Sequence, residues 1–341
     1  MTNPDRTPHP RNGTDPPQHR LVKVAAVAVL AMLAYLALSL VGGWSTTLEA
    51  LRQLGPSQWA ILLGLSLLNY GLRFARWHGY LTTLGAQVPI LRSLLIYLAG
   101  FAFTVTPGKA GEAVRSVYLR ADGVPWSPGL AALAAERILD LAAVALLAGL
   151  ALASFTAYVV PALVLVACVA AGLFVVTHPR VSARVLALLP SVGRWESLKH
   201  GVRQTLAHAR QLLSANRVTS GLAIGLTAWG AEALGFYLLL GWMGVDTGAL
   251  AAVGIYSAGM LAGAASFLPG SLGGTEVAMV TLLTASGVIF AVATTATVIC
   301  RAVTLWFAVG LGIVAALMLW PRRANSETTS DVPHNEAQPP L

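Results

Sequence analysis

Apolar residues along this chain gather into runs of about 20, parted by short polar or basic stretches, the pattern of helices that cross a bilayer. The first run is Leu21–Val41, with Arg20 and Lys23 at its start. It exceeds the apolar core of a signal peptide, about 7–15 residues, and so reads as a retained helix. After a loop at Gly42–Pro56 come runs at Ser57–Leu81, Ile90–Thr106, Gly129–Leu152 and Ser154–Thr177. A second series follows at Gly221–Trp242, Leu250–Phe267, Gly273–Ser286 and Val288–Trp320. Between the two series, His178–Arg217 carries seven Arg or Lys residues against one acid, Glu196, with Leu and Val at helical spacing. It reads as an amphipathic segment lying on anionic lipid headgroups; a solvated connector is the other reading. Residues 1–20 and 321–341 are polar and contain proline, and are expected to be disordered.

Two of the runs are broken in the same manner. Ile96-Tyr97-x-Ala99-Gly100 precedes Pro107-Gly108, and Ile255-Tyr256-x-Ala258-Gly259 precedes Pro269-Gly270, with Gly273-Gly274 close behind. Proline has no amide donor and glycine tolerates unusual dihedrals, so each pair ends one helix and allows another to begin. Glu112 and Arg137 follow the first break, Glu276 and Arg301 the second, 25 positions apart in both cases and displaced by 164. One unit therefore occurs twice. Placing the basic connector in the cytoplasm puts the Arg73/Arg76 helix end, Arg92, Arg120, both termini and Arg322-Arg323 on that same side. The two units then enter from opposite faces. The predicted fold is an all-α polytopic membrane protein, one membrane domain over 21–320. It is an inverted-topology repeat with two broken-helix hairpins of re-entrant type: repeat 1 at about 57–153, connector 178–217, repeat 2 at about 218–320. The tails 1–20 and 321–341 fall in the cytoplasm and the membrane is the plasma membrane. Alternating-access transporters share this architecture.

Composition agrees. Of 341 residues, 56% are hydrophobic and only 11% charged, where a soluble domain carries about a quarter. The net charge of +8 reports cytoplasmic loops and anionic lipid rather than nucleic acid. Cys168 and Cys300 sit in separate apolar runs without a CxxC pair, so neither a metal site nor a disulfide framework is expected, and no cofactor is. Gly108-Lys109 lacks the spacing of a phosphate-binding loop, and GxSxG and HExxH are absent; enzymatic activity is not expected. Glycine-rich runs such as Gly221–Gly241 allow close packing within or between chains, which leaves room for a homo-oligomer.

Within the runs, Lys109, Glu112, Glu136, Arg137, Asp140, Glu276 and Arg301 cannot easily reach water. Unpaired, each would cost about 2.5–3.5 kcal/mol at a helix centre, so they must pair or line a wet cavity. Glu112 with Arg137 and Glu276 with Arg301 are natural ion pairs, and a packing role stands beside a functional one. Arg73, Arg76, Lys109 and Arg115 have no counterparts in the second unit and gather cationic donors on the cytoplasmic half. Guanidinium forks suit phosphate, and the lysine adds a point charge.

Asn69-x-x-x-Arg73-x-x-Arg76-Trp77, Pro107-Gly108-Lys109-Ala110-Gly111-Glu112, Glu136-Arg137-x-x-Asp140 and Leu272-Gly273-Gly274-Thr275-Glu276 with distal Arg301 resemble the flippase-like integral membrane domain of lysylphosphatidylglycerol synthases. The resemblance covers about Leu21–Trp320. It implies translocation of a phospholipid or a polyprenyl-phosphate-linked lipid between leaflets. The headgroup is then expected against Arg73, Arg76, Lys109 and Arg115, with Glu112 and Glu276 orienting the two breaks, whereas a cationic aminoacyl headgroup would favour Glu112, Glu136, Asp140 and Glu276. The family's two-domain members add a soluble aminoacyltransferase. No such domain is expected here, and a separate lipid-modifying enzyme is a compatible partner. A secondary transporter of a small polar or anionic solute is the alternative, with Glu112 or Glu276 as a proton carrier.

Overall fold

The computed structural model describes residues 52, 54–104, 106, 111–153, 159–187, 194–266 and 268–319. The predicted helix Leu21–Val41, both tails, the Pro107-Gly108-Lys109 break and Arg322-Arg323 lie outside them. Every regular element among the described residues is helical. The long helix α1, Pro56–Thr83, opens on proline at its first turn, where the missing amide costs nothing, and closes ahead of Gly85 at φ 78°. Next come α2, Ile90–Ala99, which tightens into a 3-10 turn at Gly100–Phe103, then α3, Val114–Ala121, and α4, Trp126–Ala153. After α5, Val159–Thr177, the basic connector forms two helices, α6, Pro179–Ala187, and α7, Arg194–Leu212. The second series is α8, Ala215–Trp242; α9, Ala249–Ala265; a turn at Pro269–Ser271; α10, Gly274–Ala285; and α11, Phe290–Arg301. A π turn at Ala302–Trp306 joins α11 to α12, Phe307–Leu319. By length and composition, α8 and the continuous rod from Phe290 to Leu319 can each cross a membrane.

Helix bounds recur along the chain. Both α1 and α8 have 28 residues, and each bound of α8 lies 159 positions beyond that of α1. The same displacement relates the starts of α2 and α9. After the breaks it becomes 164, relating Gly123 to Gly287, both at positive φ, and the start of α4 to that of α11. The extra residues fall between the start of α9 and that of α11. Helix α1 packs along α8, α2 against α12, and α9 against α4.

Two apolar clusters form the interior. One joins Trp77, Tyr97, Leu119 and Leu139 to Leu319 of α12; the other joins Phe236, Tyr256, Met279 and Ile299 to Val144 of α4. Each cluster borrows a helix from the other series. Burial is inverted relative to a protein in water. Glu276 is 3% exposed while its neighbour Val277 is 66% exposed, and Leu91, Ile289 and Leu317 are exposed too. Charges inside and large aliphatic side chains outside suit hydrocarbon surroundings. Trp77 stands near the end of the run Ser57–Leu81, where the sequence leads one to expect an anchor at the membrane interface, and it departs from that place. It is fully buried, its ring 5.4 Å from that of Tyr97, because the face of α1 bearing Arg73 and Arg76 turns inward.

Candidate functional site

The inward face of α1 presents Tyr70, Arg73, Arg76, Trp77 and Tyr80 at the three- and four-residue spacings of one helical side. Facing it, α4 presents Glu136, Arg137 and Asp140 from the same side. Arg73 reaches Glu136 at 3.1 Å and Asp140 at 2.8 Å. Arg76 pairs with Asp140 and donates to the Gly221 carbonyl at 3.0 Å, tying α1 and α4 to α8. From α3, Arg115 donates to Glu136 at 2.9 Å and lies over the Tyr97 ring at 4.1 Å. Arg137 touches three acids, Glu136 at 3.0 Å, Glu112 at 3.2 Å and Asp140 at 3.6 Å. Tyr97 donates to Glu136, and Thr104 to Glu112. Shared partners of this kind are what hold ions out of water, since a single pair recovers little of its desolvation cost.

The second series builds a smaller version. Arg301 Nε meets Glu276 Oε1 at 2.8 Å, and its Nη2 donates to the Gly270 carbonyl at 3.0 Å. The other oxygen of Glu276 accepts the Gly273 amide at 2.6 Å, capping α10. Gly270 at φ 63° and Gly273 at φ 85° take left-handed conformations that glycine adopts without steric cost. A Cβ on Gly274 would lie 2.8 Å from the Ser266 hydroxyl, so the break closes only around a bare backbone. The π turn starts directly after Arg301, and such turns re-aim side chains at functional sites.

Between the two networks lies a cavity of about 280 Å³. Arg137, Asp140, Arg301 and Ser271 supply its polar lining, and Leu141, Met260, Leu261, Leu268 and Leu305 its apolar walls. A smaller space of about 60 Å³ adjoins it, lined by Tyr70, Arg73, Glu112, Glu232 and again Arg137 and Arg301. The two spaces share Arg137, Trp229, Met260, Arg301 and Leu305.

The predicted residues thus separate. Arg73, Glu112, Arg137, Asp140, Arg301 and Gly270 line the spaces. Both expected pairs form, Glu112 with Arg137 and Glu276 with Arg301. Glu136 and Glu276 sit behind, holding arginines in place. Arg76 and Arg115 are 4% and 1% exposed, face Asp140 and Glu136, and line neither space, so these two arginines stand within a neutralised network. Pro269 opens the turn of the second break, while Pro107, Gly108 and Lys109 fall outside the described residues. One interior charge escaped the sequence reading. Glu232 of α8 is 6% exposed, accepts the Tyr256 hydroxyl and lines the inner space. It lies at the same displacement from Arg73 as α8 does from α1.

Comparison with known proteins places these features in a lineage. The family described as "Lysylphosphatidylglycerol synthase TM region" matches residues 23–312. Three "UPF0104 membrane proteins" of Methanothermobacter thermautotrophicus are similar along nearly their whole length. One is 25% identical over 330 residues, covering 88% of this chain and 94% of its own; another is 25% identical over 325 residues. "Glycosyltransferase AglD" of Haloferax volcanii is 26% identical over 311 residues, covering 78% of this chain and 49% of that protein.

Proposed function

We propose, on the premise that this chain belongs to the lysylphosphatidylglycerol synthase transmembrane-region family, that it translocates a lipid between bilayer leaflets. The observation that carries the reading is the cavity. Its polar side offers two guanidinium groups, Arg137 and Arg301, and its other walls are aliphatic. That mixture suits an amphiphile whose phosphate-bearing headgroup enters while its tails stay in the hydrocarbon. Charged donors matter more there than in water, because the surroundings screen them little.

The helix bounds that recur, and the reciprocal packing of α2 on α12 and of α9 on α4, support an inverted repeat. The two breaks then act as hairpins entering from opposite faces, and rocking about the α1–α8 contact alternates access. The repeats run over about 57–153 and 218–320. The exposed arginines of the connector, Arg180, Arg184, Arg203 and Arg217, would rest on anionic headgroups at the cytoplasmic face of the plasma membrane, with both termini on that side. No bond is made or broken in this role. The substrate class is a phospholipid or a polyprenyl-phosphate-linked lipid, and the relative named as a glycosyltransferase favours keeping lipid-linked sugars among the candidates.

The test is leaflet-resolved transport in vesicles of phosphatidylcholine that carry a tail-labelled phosphatidylglycerol. Wild-type protein should move the labelled lipid, and Arg137→Gln together with Arg301→Gln should stop it. Equal rates for wild type and a folded double variant would refute the site. Uptake of a water-soluble anion with no lipid movement would favour a solute transporter.

A further inference from the structure

Two polar groups on the cavity wall have no hydrogen-bond partner. Trp229 of α8 is 8% exposed and lines both spaces, and its indole Nε1 meets no acceptor. Thr275, in the first turn of α10, is fully buried and lines the cavity, and its hydroxyl is unpartnered too. Buried donors are nearly always satisfied, so each exception calls for a physical reason. These two come from different helices, and no single local distortion accounts for both.

Ser271 stands on the same wall. Among the described residues it is the one residue other than glycine with a left-handed backbone, at φ 60°. A side chain held in that region is strained, and such residues gather at active sites and ligand clamps. The bare backbone of Gly263 lets Ser271 and Thr275 meet. A Cβ on Gly263 would fall on the Thr275 hydroxyl and lie 2.8 Å from the Ser271 Cβ.

The charged groups described on this lining are Arg137, Arg301 and Asp140, and Asp140 is held by Arg73 and Arg76. Two guanidinium groups fix a phosphate and oppose an ammonium. Lys109, outside the described residues, carries the same sign as the two arginines and leaves this preference unchanged. The indole N–H only donates, whereas serine and threonine hydroxyls take either role. An ammonium offers donors alone and cannot serve the indole. An alcohol oxygen both accepts and donates, and can serve all three residues. The cavity of about 280 Å³ is small beside ligand pockets, which begin at about 300 Å³, so it suits a phosphate with one small polyol or ring rather than a chain of sugars.

We infer that Trp229, Ser271 and Thr275 form a subsite for the hydroxyl groups of an uncharged polyol or single sugar carried on the headgroup phosphate, and that this subsite selects against amine and aminoacyl headgroups. Arg137 and Arg301 hold the phosphate. One hydroxyl oxygen accepts from the indole, and another exchanges hydrogen bonds with Ser271 and with Thr275, which turns about χ1 to meet it. No covalent bond changes. The inference rests on the translocase reading and names the substrate class of that same site.

The experiment places the full chain in phosphatidylcholine vesicles and compares two tail-labelled lipids of equal charge. Phosphatidylinositol carries a ring of hydroxyls, and phosphatidylethanol carries none. Wild type should move the first about tenfold faster or more, and should move phosphatidylethanolamine no faster than the second. Trp229→Phe keeps an aromatic ring and removes the donor; Thr275→Val keeps the shape and removes the hydroxyl. Each should lower the ratio of the two rates about two- to tenfold, the worth of one hydrogen bond. A ratio that neither substitution moves overturns the subsite even if both rates fall, because a structural role slows every lipid alike. Equal wild-type rates for the two lipids, or faster movement of phosphatidylethanolamine, overturn it as well. A second measurement needs no transport. In detergent, myo-inositol 1-phosphate should raise the melting temperature of wild type more than ethyl phosphate does, and Trp229→Phe or Thr275→Val should shrink that difference. If no lipid moves in vesicles, the translocase reading falls, and the melting difference still decides for or against the hydroxyl subsite.

Discussion

Arg301 donates from Nε to Glu276 at 2.8 Å, joining α11 to the first turn of α10 beside the second break. The carboxylate divides its oxygens between that guanidinium and the Gly273 amide, so one side chain both neutralises a buried cation and caps a helix. Removing either partner alone strands a charge in the interior, which costs about 3–5 kcal/mol where pairs are fully buried. Glu276→Gln retains a cap acceptor but strands Arg301. Arg301→Gln strands Glu276. The double variant strands neither. Thermal unfolding in detergent should therefore show each single variant well below wild type and the double variant above their sum, with a coupling of about 1 kcal/mol or more. Strict additivity would mean that the pair does not hold the break.

Arg137 and Arg115 touch the same acid yet should fail differently when removed. Around Glu112, Glu136 and Asp140 stand four arginines, one more than the acids need. Arg137 is the most exposed of them, with 24% of its side chain accessible, and it faces the cavity. Arg137→Gln removes the most exposed of the four, so melting should fall less than for Arg115→Gln. Transport should fall roughly ten- to a hundredfold, the worth of one charge-assisted hydrogen bond of about 1.5–3 kcal/mol. Arg115 is enclosed between Glu136 and the Tyr97 ring. Arg115→Gln should lower the melting temperature clearly, because buried aromatic and ionic partners are lost together. Transport assays beside melting curves decide the matter, and a reversed pattern would reject the division of roles.

Much of this was legible in the order of residues, and what was not has a physical cause. Paired breaks and the equal spacing of Glu112–Arg137 and Glu276–Arg301 announced both ion pairs, because a buried charge in an apolar run must find a partner within reach. Helix positions followed from the runs to within a few residues. Partner choice among Arg73, Arg76 and Arg115 did not follow. Three arginines and three acids can pair in several ways, and only the approach of α1, α3 and α4 selects one. Trp77 was misplaced for the same reason: a tryptophan near a helix end suits the interface and the interior equally, and the neighbouring helix decides. Glu232 stands alone in its run with no arginine at helical spacing, so nothing local marked it. Its partner Tyr256 comes from another helix.

Two glycines of α12 provide a test of helix packing. A Cβ on Gly312 would press on the backbone where α2 passes into its 3-10 turn, 2.8 Å from the Phe101 carbonyl carbon and 2.9 Å from the Leu98 oxygen. Backbone cannot yield as a side-chain tip can. Gly310, two residues earlier in the same helix, would place its Cβ in open space. Gly312→Ala should destabilise by about 1–3 kcal/mol, the usual range for overpacking. Gly310→Ala should be neutral or stabilise by up to about 1 kcal/mol, from helix propensity. Equal effects in unfolding experiments would show that α2 and α12 do not meet as described.

Exposure to water and exposure to hydrocarbon are separable by chemistry. Leu317 is 68% exposed on the outer surface of α12, among Val314 and Met318. Met260 lines both interior spaces beside Arg137 and Arg301. A charged, membrane-impermeant thiol reagent needs water and a thiolate, and hydrocarbon supplies neither. In a Cys168→Ser background, which removes the exposed native thiol and leaves Cys300 buried, Met260→Cys should react in membranes and Leu317→Cys should not, although Leu317 is the more exposed of the two. Adding the double substitution Arg137→Gln and Arg301→Gln should slow labelling at Met260→Cys, because the guanidinium groups that draw water and the anionic reagent inward are gone. Labelling of Leu317→Cys with protection of Met260→Cys would mean that the arginine-lined space is dry and the outer aliphatic surface is wet, and a headgroup path through the interior could not be sustained.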